Sequence, residues 1–143
     1  MNDINKQRSV DLLVEKFWKQ GYLTVSRKYG TYLPEPSKVG NFDVDIIARH
    51  KKDYAIGITL AEADLKDPKI LEKLRYLATR QTKFTNRRVL LFVGVPNDLF
   101  KIAKELIDYL DNDARKNIRL FPIVEKNLPS SRKNRREEAT LFS

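Results

Sequence analysis

The feature that most constrains the fold is a run of apolar residues near the middle of the chain, RVLLFVGV at residues 88–95. A run of this kind, without alternation between apolar and polar residues, is typical of a strand covered on both faces of a sheet. Amphipathic helical patterns lie before it, from Ile70 to Ala78, and after it, from Leu99 to Leu110. The chain is therefore predicted to be of the α/β class, with a central mixed β-sheet flanked by helices.

The other periodic segments complete an α-β-β-β-α-β order that continues with a further helix and strand. Proline and glycine separate these segments, and Pro122 places the last strand at a sheet edge. The predicted elements are a helix at residues 5–20 and strands at 22–29, 42–49, 54–60 and 118–124, with the second and third strands forming a hairpin. We expect one domain over residues 1–125 and a basic, mobile tail over residues 126–143.

Composition points to a phosphate-rich partner. The net charge is +9 and the pI is about 9.8, and such an excess of Lys and Arg is characteristic of nucleic-acid binding. Cysteine is absent, which excludes disulfides, thiolate metal sites and cysteine nucleophiles. No apolar stretch approaches the roughly 20 residues of a membrane span, so we expect an intracellular protein, cytoplasmic or nucleoid-associated, without a membrane partner.

Two acidic residues, Asp43 and Asp45, interrupt the apolar pattern of the predicted second strand. Their spacing places both on one face of a strand, where buried carboxylates need a cation or another partner. One interpretation is a pair of ligands for Mg²⁺ or Mn²⁺. The other is an exposed strand whose carboxylates form salt bridges with nearby Lys and Arg.

The segment GNFDVDIIARHKKDYAIGITL, at residues 40–60, resembles the core of the PD-(D/E)XK nucleases, especially archaeal Holliday-junction resolvases. Asp45-Ile46-Ile47-Ala48 is similar to the aspartate-led strand of that family, and the resemblance extends over roughly residues 8–124. It implies a restriction-endonuclease-like αβββαβ core in which Asp45 holds a metal ion. It also implies a homodimer that binds duplex or branched DNA.

The chain departs from the family at the Glu and Lys of the E-x-K motif, whose positions fall on Gly57 and Thr59. Neither residue can hold a metal ion or stabilise the developing charge on a phosphate as Glu and Lys do. The catalytic site is therefore predicted to be impaired unless other residues replace the missing groups. The candidates are Glu62 and Lys73 beyond the third strand, and Asp11 and Glu15 on the first helix.

Basic residues gather in several segments that we expect to contact a nucleic-acid backbone. Those in the folded domain are Arg27, Lys28, Lys38, Arg49, Lys51, Lys52, Arg80, Lys83, Arg87 and Arg88, and those in the tail are Arg132, Lys133, Arg135 and Arg136. Contacts of this kind provide affinity without reading sequence. The tail ends in the apolar pair Leu141 and Phe142, which can dock on a protein partner.

Three functions remain open from the sequence. The first is a DNA-binding protein with a nuclease-like fold and an impaired catalytic site. The second is an active Mg²⁺-dependent endonuclease or junction resolvase with relocated site residues. The third is a small α/β protein-interaction or ligand-sensing module.

Overall fold

The computed structural model describes residues 3–124, with side chains from residue 6 onward. Its centre is a five-stranded sheet in the order β1-β2-β3-β4-β5. The strands are β1 (Leu23–Arg27), β2 (Ile46–His50), β3 (Asp53–Thr59), β4 (Leu90–Pro96) and β5 (Ile118–Ile123). Strand β2 runs antiparallel to both β1 and β3, whereas β3, β4 and β5 run parallel to one another. The predicted α/β class, with helices flanking a mixed sheet, is confirmed.

Helices cover both faces of this sheet. They are α1 (Asp3–Lys19), α2 (Glu62–Leu65), α3 (Ile70–Ala78), α4 (Phe100–Ile107) and α5 (Asn112–Arg115), with a 3₁₀ turn at Asn97–Leu99. Helix α1 buries Val10, Leu13 and Phe17 against one face, which we call the α1 face. Helices α3 and α4 pack on the opposite face. The five central residues of β4 are buried, as its unbroken apolar run predicts.

The hairpin of β2 and β3 and the edge position of β5 agree with the sequence prediction. The predicted start of the second strand at Phe42 is wrong, because β2 begins at Ile46. Val39 and Phe42 form a tight bridge through reciprocal backbone hydrogen bonds, and Gly40 between them adopts a φ of 63°. The turn keeps Asp43 outside the sheet ladder, so the alternation used to pair Asp43 with Asp45 does not apply.

The region between β3 and α3 also differs from the prediction. The short helix α2 was not predicted. Asp67-Pro68 is a pair typical of an N-cap and a first helical residue, but α3 begins only at Ile70. The Asp67 carboxylate accepts a hydrogen bond from the Lys69 backbone N–H at 2.9 Å and so closes the turn that precedes α3. Within residues 3–124, no helix has the length and apolarity needed to cross a membrane. The predicted tail, residues 126–143, lies outside the described residues.

Candidate functional site

Asp45 lies directly before β2, at the end of the sheet where β3 and β4 terminate. Its backbone N–H donates to the Gly57 carbonyl at 2.9 Å, and its own carbonyl accepts from the Lys28 N–H at 2.9 Å. These bonds hold the residue between β1 and β3. The side chain is only 5% exposed, so its carboxylate requires compensating partners.

The compensating partners come from α1 and from the end of β3. Thr59 donates to the Asp45 carboxylate from its backbone N–H, at 2.7 Å, and from its hydroxyl, at 3.0 Å. The Lys6 ammonium lies 3.0 Å from the same carboxylate oxygen. Lys6 also donates to the Thr59 hydroxyl at 2.7 Å and to the Thr59 carbonyl at 3.1 Å. One ammonium thus occupies a cradle of three oxygen atoms.

A second ammonium, that of Lys28, lies 3.7 Å from the other carboxylate oxygen of Asp45. We call Asp45, Lys6, Lys28 and Thr59 the Asp45 cluster. Beside it, Arg27 forms an ion pair with Asp11 of α1. The cluster and this pair together contain three cations and two carboxylates, so these side chains carry one uncompensated positive charge among themselves.

The Gly57 position, where the resemblance places the family's glutamate, is closed. A Cβ atom at Gly57 would lie 2.6 Å from the Phe17 ring, which is buried against the α1 face. Phe17 stacks in turn on Phe92, with ring centroids 4.1 Å apart. A longer side chain at position 57 cannot reach Asp45 unless these rings move.

None of the other predicted catalytic or metal-binding residues is among the hydrogen-bond or ion-pair partners of the Asp45 carboxylate in the described part of the chain. Asp43 is exposed, as is Glu15 on α1. Glu62 is exposed on α2 and pairs with Lys66 at 3.2 Å. Lys73 belongs to α3, whose apolar residues pack on the face opposite α1. Among the described residues, no group of three or more His, Cys, Asp or Glu side chains is arranged to hold a metal ion.

Many of the predicted nucleic-acid contacts lie at the opposite end of β3. We call residues 79–89, between α3 and β4, the basic loop. Its Arg87 Nε lies 2.6 Å from Asp53 at the start of β3, which joins the loop to the β2–β3 turn. This end carries Arg49, Lys51, Lys52, Arg80, Lys83, Arg87 and Arg88. Lys38 is exposed in the segment between β1 and β2, and the tail arginines and lysine, Arg132, Lys133, Arg135 and Arg136, lie outside the described residues.

The arginines of the basic loop are engaged with their surroundings. The Arg87 hydrogen bond lowers the pKa of the Asp53 carboxyl below its ordinary value of 3.8. The Arg88 guanidinium lies 2.6 Å from Asp113 and lowers the pKa of that carboxyl in the same way. Arg80 stacks on the Tyr76 ring, with 3.7 Å between its guanidinium carbon and the ring centroid. By contrast, Lys83 of the loop and Lys51 and Lys52 of the β2–β3 turn are exposed to solvent.

Lys6 is the site residue that the sequence did not indicate. It is 39 residues from Asp45, and its position depends on how α1 crosses the sheet. Its one sequence signal is its spacing from Val10, Leu13 and Phe17, which places it on the buried stripe of α1 at an unusual position for a lysine.

Comparison with protein-family models, curated proteins and solved structures found no match.

Proposed function

We propose that the protein binds nucleic acid, most directly the backbone of DNA, through a nuclease-like site that does not hydrolyse its ligand. The observation that carries this proposal is the Lys6 ammonium in the oxygen cradle of Asp45 and Thr59. A restriction-endonuclease-like core is part of the proposal. Its support is the element order and the position of Asp45 at the start of the central hairpin.

The residues around Asp45 do not fit Mg²⁺ or Mn²⁺. A hard cation of this kind is held by carboxylate, carbonyl and hydroxyl oxygens. Asp45 and Thr59 supply such oxygens, but Lys6 already donates hydrogen bonds to three of them: Asp45 Oδ2, Thr59 Oγ1 and the Thr59 carbonyl. The remaining carboxylate oxygen, Asp45 Oδ1, faces the Lys28 ammonium at 3.7 Å. A divalent ion at this point would meet an ammonium at close range, and Phe17 closes the position from which the family's glutamate would reach it.

The charge that remains suits a phosphate. Asp45 balances one of the two ammonium groups in its cluster, and the Lys28 side chain is 30% exposed. An ammonium that is partly solvated and not fully compensated is a point charge to which a phosphate oxygen can dock. Such a contact is made to the backbone, so it provides affinity and salt dependence without sequence specificity. The net charge of +9 acts in the same direction at longer range.

Binding measurements over a range of salt concentrations test this proposal. A labelled blunt duplex is titrated with the wild type and with Lys28→Ala, and Lys104→Ala on α4 serves as the matched control because Lys104 is an exposed lysine on a different surface. We expect Lys28→Ala to weaken binding and to reduce the slope of log K against log salt by about 0.9, the value of one phosphate contact. Lys104→Ala is expected to retain the wild-type slope.

The Asp45→Asn variant is expected to change the salt slope in the opposite direction from Lys28→Ala in the same assay. Removal of the carboxylate charge leaves Lys6 and Lys28 both available to phosphate, so we expect the slope to become steeper by about 0.9. Thermal unfolding of each variant verifies that the fold is retained. Absence of wild-type binding at low salt, or equal slopes for Lys28→Ala and Lys104→Ala, contradicts the proposal.

A second candidate function, metal-dependent DNA cleavage, is favoured by one observation. Lys6 places an ammonium beside Asp45, which is where a lysine relocated from the E-x-K motif would act. Hydrolysis through this arrangement still requires another carboxylate to join Asp45. Asp11, one of the predicted candidates, is paired with Arg27.

A further inference from the structure

The tip of the basic loop carries a phenylalanine that packs against almost nothing. Phe84 is 97% exposed, although the buried cores on both faces of the sheet consist of residues of its class. Single exposed apolar residues are common on protein surfaces, so exposure alone does not indicate a function. The structure around Phe84 and the charge beside it supply the further argument.

Hydrogen bonds close the loop around Phe84. The Thr82 N–H donates to the Arg87 carbonyl at 3.0 Å, and the Asn86 N–H donates to the Thr82 carbonyl at 2.9 Å. The Thr82 hydroxyl accepts from the Arg87 N–H at 3.0 Å. Asn86 adopts a left-handed conformation with a φ of 54°, which completes the reversal of the chain. The loop therefore holds its shape without any contribution from the Phe84 side chain.

The base of the loop is fixed on two sides. Arg87 binds Asp53 on β3 at 2.6 Å, and Arg88 binds Asp113 on α5 at 2.6 Å. Because the loop is ordered before any ligand arrives, a ligand that contacts Phe84 has little conformational entropy to remove there. Phe84 is thus presented to solvent on a preformed support.

The surroundings of Phe84 are basic. Lys83 is its sequence neighbour, and Lys51 and Lys52 lie in the β2–β3 turn that Arg87 connects to the loop. All three lysines are exposed, and none pairs with a carboxylate among residues 6–124. An apolar protein partner covering Phe84 would have to desolvate these charges. A nucleic acid offers both a flat base for the ring and phosphates for the lysines.

We propose that the basic loop is a second nucleic-acid contact, in which Phe84 stacks on an unpaired base while the adjacent lysines contact the flanking phosphates. This inference rests on the proposed function and narrows its ligand to nucleic acid with unpaired bases, such as a single strand or a branch point. The loop and the Asp45 cluster lie at opposite ends of β3, a separation of about 20 Å for a seven-residue strand. One branched ligand can therefore contact both.

The test compares three labelled DNA probes: a single strand, a blunt duplex and a fork that joins the two. The variants are Phe84→Ala, Lys83→Ala and Tyr109→Ala. Tyr109 is a matched control because it is 77% exposed but follows α4, beside Glu105 and Asp108 and away from the basic loop. Phe84 and Tyr109 are both so exposed that truncation is not expected to affect folding, which circular dichroism verifies.

We expect Phe84→Ala to weaken binding to the single strand and the fork about tenfold, the loss typical of one stacked base, with little change for the blunt duplex. Its salt slope stays at the wild-type value, because no phosphate contact is removed. Lys83→Ala lowers the slope by about 0.7 on the single strand. Tyr109→Ala leaves all three affinities unchanged.

The inference fails if Phe84→Ala binds all three probes as the wild type does, since the exposed ring then belongs to a protein contact or to no contact. It also fails if the loss is equal for the blunt duplex and the single strand. In both cases, a Lys28-dependent affinity for the duplex leaves the proposed function standing. If the wild type binds none of the probes at low salt, the proposed function and this inference fall together.

Discussion

Each end of β3 has an aspartate paired with basic side chains, but the aspartate is buried at one end and exposed at the other. At the end of the strand, Asp45 is 5% exposed and is surrounded by Lys6, Lys28 and Thr59. At its beginning, Asp53 is 39% exposed and bonds Arg87 on the surface. Buried ion pairs are sensitive to the loss of one partner, whereas exposed pairs contribute little. The Asp45 end is therefore built around a buried charge with fixed partners, whereas the ion pairs and lysines of the other end lie at the solvent-exposed surface.

The largest expected effect is on stability, when each carboxylate is removed in turn. Asp45→Ala leaves two partly buried ammonium groups and the Thr59 N–H without their partner, and we expect the free energy of unfolding to fall by about 3 kcal/mol. Asp53→Ala removes a surface pair and is expected to change stability within experimental error. Urea denaturation monitored by circular dichroism measures both. Equal losses for the two variants would abolish the distinction between the two ends.

A smaller loss of about 2 kcal/mol is expected for Gly57→Ala, because the new methyl group would overlap the Phe17 ring. In the open interior of a strand, the same change would be neutral or stabilising. The Phe17→Leu background provides the control, since a smaller side chain relieves the overlap and reduces the cost of Gly57→Ala. A double-mutant cycle on unfolding free energies measures this coupling. If Gly57→Ala stabilises the otherwise unchanged protein, then Phe17 does not close position 57 to a side chain.

Thr59→Val isolates the hydroxyl that links Asp45 to Lys6. The substitution retains the backbone N–H bond but removes one donor to Asp45 and one acceptor for Lys6. We expect a loss of about 1 kcal/mol in the free energy of unfolding. Thr85→Val, in the exposed basic loop, is the matched control and is expected to cost less. A larger loss of unfolding free energy for Thr85→Val than for Thr59→Val would contradict the claim that the Asp45 end depends more on its side-chain hydrogen bonds.

The smallest effect is a change in titration at the loop end. Since the Arg87 hydrogen bond lowers the pKa of the Asp53 carboxyl, Arg87→Ala should raise that pKa towards 3.8. The stability from this pair is present above the ordinary carboxyl pKa and is lost as pH falls through the lowered value. The contribution of the pair to the free energy of unfolding therefore does not vary with pH near neutrality. Carboxyl NMR titration measures the shift. Arg88→Ala is the control, which should raise the pKa of Asp113 and leave that of Asp53 unchanged.

Sequence patterns predicted the elements whose residues interact locally or repeat regularly. The apolar run of β4, the hairpin of β2 and β3, and the amphipathic α1 follow from periodicity. The start of β2 was missed because the Val39–Phe42 bridge depends on local backbone bonds that propensity does not report. Asp45 was predicted as a site residue because a carboxylate amid apolar residues requires a partner.

The partner itself could not be predicted. Lys6 reaches Asp45 only because α1 crosses the sheet at one particular position, and a sequence pattern does not encode that crossing. The basic residues were predicted in several segments along the chain, and the fold places most of the described ones at the two ends of β3. The homodimer, the tail contacts and the DNA ligand remain predictions, and the interpretation of Asp43 and Asp45 as ligands of Mg²⁺ or Mn²⁺ is untested.

Incubation of the wild type and Asp45→Asn with duplex and branched DNA in Mn²⁺, followed by electrophoresis under denaturing conditions, tests the central claim most directly. With Lys6 in the cradle beside Asp45, we predict that both proteins bind the DNA and leave its strands intact. Cleavage by the wild type that depends on Mn²⁺ and disappears in Asp45→Asn would contradict the account. Asp45 would then serve a metal ion in place of Lys6.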